Sequence, residues 1–481
     1  MSTDWKMELY WRLPLFLQEA SLSFYARRLD RLYYGVGYDY AVDRCKQMQN
    51  WSRAEIEAWQ NHELGRIVEV AATQVPYYQT NWKTIQWKSV QSAEQLSLLP
   101  LLDKHVIRQH EKRFLVEKSC RNTLLVDSTS GTTGTALRIF KSPAMLPQYW
   151  AAYEVMVRNV AGVTREMPRA MMGGRPIIPG SANKPPYWRF NKYWRQLYLS
   201  SYHVSESTAP YYIEAMRSYG SEWLTGYGST IAALAESAIK NNVPSFPLRA
   251  VIVSGDTLLP GMRTVIEEFF QCPCYDHYGQ CEFVCMAMEC PYGQQHLVPT
   301  VGMVEIIRED GTPCDPGEVG EIVATSLLND AMPFIRYKTG DYAAWGGDGP
   351  CPCGNQNRTL TKLEGRVDDF LLTSDGRRIG RLSTAMKRSP TIHSAQLVQD
   401  RPGHGFLLIR PSEGYHASHG VAVVEDIVSR IGSFDLELIE VPEIPKTVRG
   451  KTRLVVRLDE HPSLQEVFQP LLDAAGQTAV A

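Results

Sequence analysis

A chain of 481 residues is too long for one simple core and calls for two or three domains. Its 44% apolar and 21% charged residues are those of an ordinary globular protein. A formal net charge of -2 supplies no global field that would draw it onto nucleic acid or an anionic membrane.

The opening Met1-Ser2-Thr3-Asp4-Trp5-Lys6 is not a signal peptide, because the apolar stretch from Leu13 to Leu17 is broken by Pro14 and followed by Gln18 and Glu19. No apolar run approaches the roughly 20 residues that cross a bilayer. A cytoplasmic protein is expected. Its ten cysteines then read as reduced thiols or metal ligands rather than a disulfide framework.

A helix is predicted from Trp51 to about Ala72, with Ser52 as its cap, and the proline of Val75-Pro76-Tyr77-Tyr78 ends it. Leu99-Pro100-Leu101-Leu102-Asp103-Lys104 reads as a turn into another helix. Leu124-Leu125-Val126 is a short strand running into the hydroxyl and glycine run Asp127-Ser128-Thr129-Ser130-Gly131-Thr132-Thr133-Gly134-Thr135. A second strand from Leu248 ends at Ser254-Gly255, and a helix follows from Met262 to Phe270. Strand, loop and helix in this order predict a doubly wound α/β body with binding loops at strand C-termini. From Val301 to Trp345 strands alternate with Gly, Pro and Asp turns, the pattern of a small antiparallel barrel or sheet. Strands at Gln396–Val398, Phe406–Ile409, Leu436–Ile439 and Leu454–Arg457, with a helix from about Ala417 to Ile431, form a terminal α+β module. The charged stretch Gly365-Arg366-Val367-Asp368-Asp369 marks the boundary. The expected division is therefore 1–365, with a helical start over about 1–120, and 366–481 as a small mobile lid.

Four clusters carry chemistry. Ser128 to Thr135 could turn several backbone N–H groups and hydroxyls inward around a phosphate, although no lysine follows Gly134 as in the Gly-Lys-Ser/Thr nucleotide loop. A Ser/Thr/Gly run alone is more often a plain solvated loop. In Asp276-His277-Tyr278-Gly279-Gln280-Cys281-Glu282, a tyrosine beside glycine can lie against a flat base, and Glu282 can reach a metal held by phosphates. The alternative is an exposed turn. In Arg336-Tyr337-Lys338-Thr339-Gly340-Asp341 the aspartate is placed to accept ribose hydroxyls, or simply closes a turn. Lys446-Thr447-Val448-Arg449-Gly450-Lys451 is a basic loop whose lysines could offset charge at phosphorus.

The order of these clusters, with Gly365-Arg366-Val367-Asp368-Asp369 between the last two, resembles the adenylate-forming superfamily of acyl-CoA synthetases, peptide-synthetase adenylation domains and luciferases. The similarity is greatest to its phenylacetate–CoA ligase and CapK-like branch. Further resemblance lies in Val75-Pro76-Tyr77-Tyr78, Leu99 to Lys104, Leu224-Thr225-Gly226-Tyr227-Gly228-Ser229 and Cys351-Pro352-Cys353-Gly354. The resemblance implies that Ser128 and Ser130, Gly131, Thr132, Thr133, Gly134 and Thr135 meet the ATP phosphates. It places Gly255, Asp256, Thr257, His277, Tyr278 and Gly279 about adenine, and Asp341 and Arg366 at the ribose. It implies Glu282 on Mg²⁺, Asp368 at a hinge, and Lys451 delivered to the α-phosphate. The chain departs from the family at Cys281, where Ser or Thr is usual.

Cys290 and His296 flank Pro291-Tyr292-Gly293-Gln294-Gln295, and Cys351-x-Cys353 lies further on. Three thiols and one imidazole make a closed tetrahedral zinc set, or are small hydrophobes in a core. Some relatives carry the same arrangement, which favours structural Zn²⁺.

The function implied is an AMP-forming carboxylic acid ligase using ATP, Mg²⁺ and coenzyme A as acyl acceptor. A second reading keeps the adenylate and sends the acyl group to an amine, hydroxyl or carrier-protein thiol. A third is a non-catalytic nucleotide-binding protein, against which Glu282, Asp341 and Lys451 together argue. The partners expected are a small carboxylic acid and its acceptor, with no nucleic acid and no membrane; a homodimer is one option for the assembly.

Overall fold

The computed structural model describes residues 4–117, 123–128, 137–256, 258–347, 349–364, 370–379, 382, 391–411, 414–442, 444–445, 454–459, 464–465 and 468–469. An N-terminal arm comprises α1 (Asp4–Arg12), α2 (Leu15–Tyr33), α3 (Tyr38–Met48), α4 (Arg53–Gln74), α5 (Pro76–Asn81) and α6 (Lys104–Gln109). Helix α4 starts where Ser52 and Glu55 cap each other, Ser52 N donating to Glu55 Oε2 at 2.8 Å and Glu55 N to Ser52 Oγ at 3.3 Å. It stops at Val75, because Pro76 has no N–H to continue the ladder, and Pro76 opens α5 instead.

A hairpin of β1 (Leu125–Ser128) and β2 (Arg138–Lys141) follows, then α7 (Met145–Tyr153), which runs on into a π-helical turn over Glu154–Arg158. The body continues through β3 (Arg169–Gly173), β4 (Trp188–Asn191), β5 (Gln196–Ser200), α8 (Ala209–Ser218), β6 (Trp223–Gly226), α9 (Gly228–Lys240), β7 (Ala250–Ser254), α10 (Pro260–Phe270) and β8 (Cys274–Gly279). After these come β9 (Met286–Glu289), β10 (Gln295–Leu297), β11 (Gly302–Ile307), β12 (Val319–Ser326), β13 (Tyr337–Trp345) and β14 (Thr359–Glu364).

All strands of the body except the hairpin join one twelve-stranded sheet in the order β11-β12-β13-β14-β10-β9-β8-β7-β6-β3-β5-β4. From β8 to β5 the strands are parallel, and their residues, such as Ala250-Val251-Ile252-Val253, are buried on both sides as a covered parallel sheet requires. Leu224, Val251 and Val253 pack under α8, α9 and α10, whereas Trp223, Ile252 and Tyr275 meet α3, α7 and the π-helical turn on the other face. This is the doubly wound body. From β9 to β11 every pairing is antiparallel, and Ile306, Ile322 and Tyr337 pack against Leu64, Ile67 and Val68 of α4.

The antiparallel half curls. In the sheet order β13 stands four steps from β8, past β9, β10 and β14. On a flat sheet four spacings amount to roughly 19 Å, yet Tyr278 Oη on β8 lies 2.9 Å from Asp341 Oδ2 on β13. Irregular registers at Glu321/Val323 and at Tyr342/Ala344 bracket that aspartate, and such bulges bend and twist a strand.

A terminal α+β unit holds a small ribbon of β15 (Leu371–Leu372) and β16 (Arg378–Ile379), then β17 (Ile392–Arg401), β18 (His404–Pro411), α11 (Ala417–Ile431), β19 (Asp435–Glu440) and β20 (Val455–Arg457). Its four-stranded sheet runs β19-β18-β17-β20, and Val423, Ile427 and Ile431 of α11 pack on it. The unit meets the body at Gly180 and Tyr202. Gly180 N donates to Ser429 O at 2.9 Å, Arg377 of the terminal unit donates to Tyr202 O at 2.7 Å, and the Tyr202 ring joins the terminal unit's core. A Cβ at Gly180 would stand 2.0 Å from Ser429 O, so only glycine permits this approach.

Candidate active site

The C-terminal ends of β6, β7 and β8 lie side by side, where a doubly wound topology places its binding crevice, and Tyr278 at the end of β8 meets Asp341 in the middle of β13. Tyr278 donates to Asp341, and Gln280 Nε2 donates to the same Asp341 oxygen at 3.2 Å and to Tyr278 Oη. Burial, and then the facing Asp341 carboxylate, push the Tyr278 phenol far above its ordinary range, so it remains a neutral donor. Asp341 follows Gly340, whose φ of +78° turns the strand, and Thr339 Oγ1 accepts from Asp341 N at 3.1 Å.

Glu282 lies just beyond β8 and is buried. Burial favours its neutral form, but Lys104 Nζ at 3.3 Å and the Tyr337 hydroxyl at 2.9 Å outweigh that and hold the carboxyl below its ordinary value. It is thus an ionised hard oxygen donor in a buried place, which suits a magnesium ion shared with phosphates.

Side chains alternate along β8, so His277 faces away from Tyr278. Its Nδ1 lies 3.0 Å from Ser254 Oγ and its ring meets Tyr153 edge-on at 5.1 Å. Burial pulls its pKa down to about 4, leaving a neutral imidazole. Gly279 ends the strand, and a Cβ there would press on His277 Cε1 at 3.1 Å. Gly255 turns the end of β7 with φ +87°. Asp256 is engaged by the start of α9: its carboxylate accepts from Gly228 N at 2.8 Å, Ser229 N at 3.0 Å and Ser229 Oγ at 2.5 Å. It therefore caps α9 from 28 residues along the chain. Cys281 is exposed.

Ser128 ends β1 at the mouth of the hydroxyl loop. Ser130, Gly131, Thr132, Thr133, Gly134, Thr135, Thr257, Arg366, Asp368 and Lys451 lie outside the described residues. The hairpin shows what the sequence reading passed over. The β1–β2 pairing brings Lys141 against Asp127, and the ammonium of Lys141 stands 4.4 Å from the centroid of the Phe283 ring. A buried lysine thus belongs to the hairpin although none lies within its hydroxyl and glycine run. Lys104 and Tyr337 were likewise passed over as partners of Glu282. The one available signal was their membership of the segments Leu99–Lys104 and Arg336–Asp341.

Toward the opposite end of β8, past the end of the antiparallel β9, Cys290, His296, Cys351 and Cys353 converge, their ligand atoms all within 4.8 Å of one another. Cys290 closes the β9 end of the β9–β10 turn, where Gly293 N donates to Cys290 O. Cys351 and Cys353 sit on the link from β13 to β14, where Gly354 N donates to Cys351 O at 2.9 Å with φ +83°. His296 Nδ1 donates to Asn357 O at 3.1 Å, which turns Nε2 toward Cys353 Sγ at 3.3 Å. Burial lowers the histidine's pKa and keeps the ring neutral, the form that ligates. Three sulfurs and one nitrogen with an oriented second shell fit a tetrahedral zinc ion.

Residues 371–458 match the CapK C-terminal domain family. Over 370 residues the chain is 27% identical to Protein CapK of Staphylococcus aureus, covering 75% of this chain and 80% of that one. Over 337 residues it is 23% identical to phenylacetate-coenzyme A ligase of Thermus thermophilus, covering 68% of this chain and 74% of that one. Among solved structures, 2-hydroxyisobutyryl-CoA ligase in complex with 2-HIB-AMP and CoA matches with a TM-score of 0.54 at 17% identity, over 90% of this chain and 94% of that one. That likeness is one of fold.

Proposed function

We propose, from the premise that this chain belongs to the adenylate-forming superfamily as a CapK and phenylacetate–CoA ligase-like member, that it activates a carboxylic acid with ATP and passes the acyl group to a thiol, coenzyme A foremost. The observation that carries this reading is the meeting, across the curled sheet, of Tyr278 with Asp341 and of Tyr337 with Glu282. A neutral, half-buried phenol can cover adenine, an aspartate after a glycine turn within a strand can take ribose hydroxyls, and an ionised buried glutamate can anchor the phosphate end.

In this scheme Ser128 and Ser130 to Thr135 hold the phosphates through backbone N–H groups and hydroxyls. Gly255, Thr257 and Gly279 shape the adenine side, with Asp256 supporting it as the cap of α9 and His277 on the opposite face of β8, and Arg366 joins Asp341 at the ribose. Glu282 keeps its charge because Lys104 and Tyr337 hold it, and bound magnesium would neutralise phosphate charge there. The acid's carboxylate must approach an α-phosphate that is already anionic. Lys451, carried by the terminal unit, offsets that repulsion as charge builds. Zinc on Cys290, His296, Cys351 and Cys353 would be structural, since four protein ligands leave no open position.

Acid-dependent exchange of labelled pyrophosphate into ATP tests the reading. Lys451→Ala should lower it by roughly 10²-fold or more, and unchanged exchange would remove Lys451 from the chemistry. The match to Protein CapK is longer and closer than that to the Thermus ligase, which sustains a second reading in which an amine, hydroxyl or carrier-protein thiol takes the acyl group. Product release with coenzyme A present or omitted separates the two.

A further inference from the structure

Helix α2 leaves one face without a partner. Its inner face is fixed to the β4 edge of the large sheet: Arg189 Nε donates to Gln18 Oε1 at 2.6 Å, and Phe190 N donates to Glu19 Oε1 at 2.9 Å. Tyr193 Oη and Trp194 Nε1 both donate to Asp30, at 3.1 and 3.0 Å. The opposite face carries Phe16 at 68% exposure, Phe24 at 77% and Leu17 at 41%, and Leu9 of α1 adds another exposed apolar side chain at 56%. At 3.6 residues per turn, Phe16, Leu17 and Phe24 share an arc of about 120° with Arg27, Arg28 and Arg31, and all three arginines are exposed. Both carboxylates of α2, Glu19 and Asp30, point to the protein side. The outer arc is therefore apolar toward the N-terminus of the helix and cationic toward its C-terminus, in a chain whose total charge is -2.

We propose that this face of α2 docks the protein onto an anionic phospholipid surface, with Phe16, Leu17 and Phe24 entering the headgroup boundary and Arg27, Arg28 and Arg31 contacting lipid phosphates. An amphipathic helix with aromatic and aliphatic side chains beside basic ones lies in the plane of such an interface. No described helix is long and apolar enough to cross a membrane, so the attachment is peripheral. Charge decides the occupant. A second copy packed on this face would add three more arginines and no carboxylate of that helix to meet them, set against each other when the helices run parallel and against apolar side chains when they run antiparallel, whereas an anionic bilayer supplies the counter-charge. The composition-based expectation of no membrane partner concerned the total charge, and this site is local.

Sedimentation of the full-length protein with vesicles of phosphatidylglycerol and phosphatidylcholine, and with phosphatidylcholine alone, tests the proposal. Binding should require the anionic lipid and weaken with salt. The triple variant Arg27→Glu, Arg28→Glu, Arg31→Glu should lower partitioning by about tenfold or more, and the double variant Phe16→Ser, Phe24→Ser should lower it independently. Pyrophosphate exchange should be unaffected in both, since neither set touches the crevice. Three results would overturn the proposal: no binding to either vesicle, equal binding to both, or a dimer by light scattering that dissociates in the Phe16/Phe24 variant.

Discussion

Tyr337→Phe removes one oxygen and leaves the ring that stacks on Phe334 at 5.3 Å. That oxygen donates to Glu282 at 2.9 Å in a buried setting. A hydrogen bond to a charged acceptor contributes about 1.5–3 kcal/mol. Lys104 remains at 3.3 Å, so the carboxylate is not orphaned and the lower end applies, about 1.5–2 kcal/mol. With a urea slope of about 3 kcal/mol/M, the unfolding midpoint of the body should fall by about 0.5 M at pH 7. The sign with pH follows from Glu282, whose folded pKa is held below its ordinary value of 4.5. Stability from a depressed carboxyl is present above the unfolded pKa and lost as pH falls through the folded one. The gap between wild type and variant should therefore be full at pH 7 and narrow below about pH 4.5. Tryptophan fluorescence in urea at both pH values measures it. Coincident midpoints at pH 7, or a gap that does not change with pH, would refute the placement of the stabilising charge on Glu282.

Protein purified without chelator should carry about one equivalent of zinc by elemental analysis, and Cys353→Ser should lose most of it together with thermal stability; full retention would show that the cluster is not the site. Asp256→Ala should cost about 1–2 kcal/mol by uncapping α9, with faster amide exchange at Gly228 and Ser229, and unaltered exchange there would contradict the cap. Gly180→Val places a side chain where Ser429 O stands, so amide exchange over 429–432 should rise while β6 to β8 stay protected; an unchanged pattern would show that the contact with the body does not hold that segment.

Much of the site was legible because its residues sit at strand ends and follow one another in a fixed order. Tyr278, Glu282 and Asp341 were picked out from turns and strand ends, and the fold pairs Tyr278 with Asp341 and Glu282 with Tyr337. The four zinc candidates were legible from donor chemistry, and they converge although Cys290 and Cys351 are 61 residues apart. Partnerships were not legible. Lys104 lies 178 residues from Glu282, and nothing in its turn-and-helix surroundings announces a carboxylate. That Asp256 caps α9 was not legible, because a loop aspartate and a capping aspartate look alike until the helix is placed. The pairing of Lys141 with Asp127 depends on hairpin register, which the undescribed loop between the strands does not spell out.

The curl of the antiparallel half has a consequence for how the candidate site is set. Its width is a matter of curvature: Tyr278 and Asp341 stand on strands four steps apart and meet because the intervening ribbon is rolled. The irregular register at Tyr342/Ala344, on the β13–β14 pairing within that ribbon, bends the strand that carries Asp341. Residues with no chemistry of their own thereby help to set where the two chemistry-bearing side chains stand.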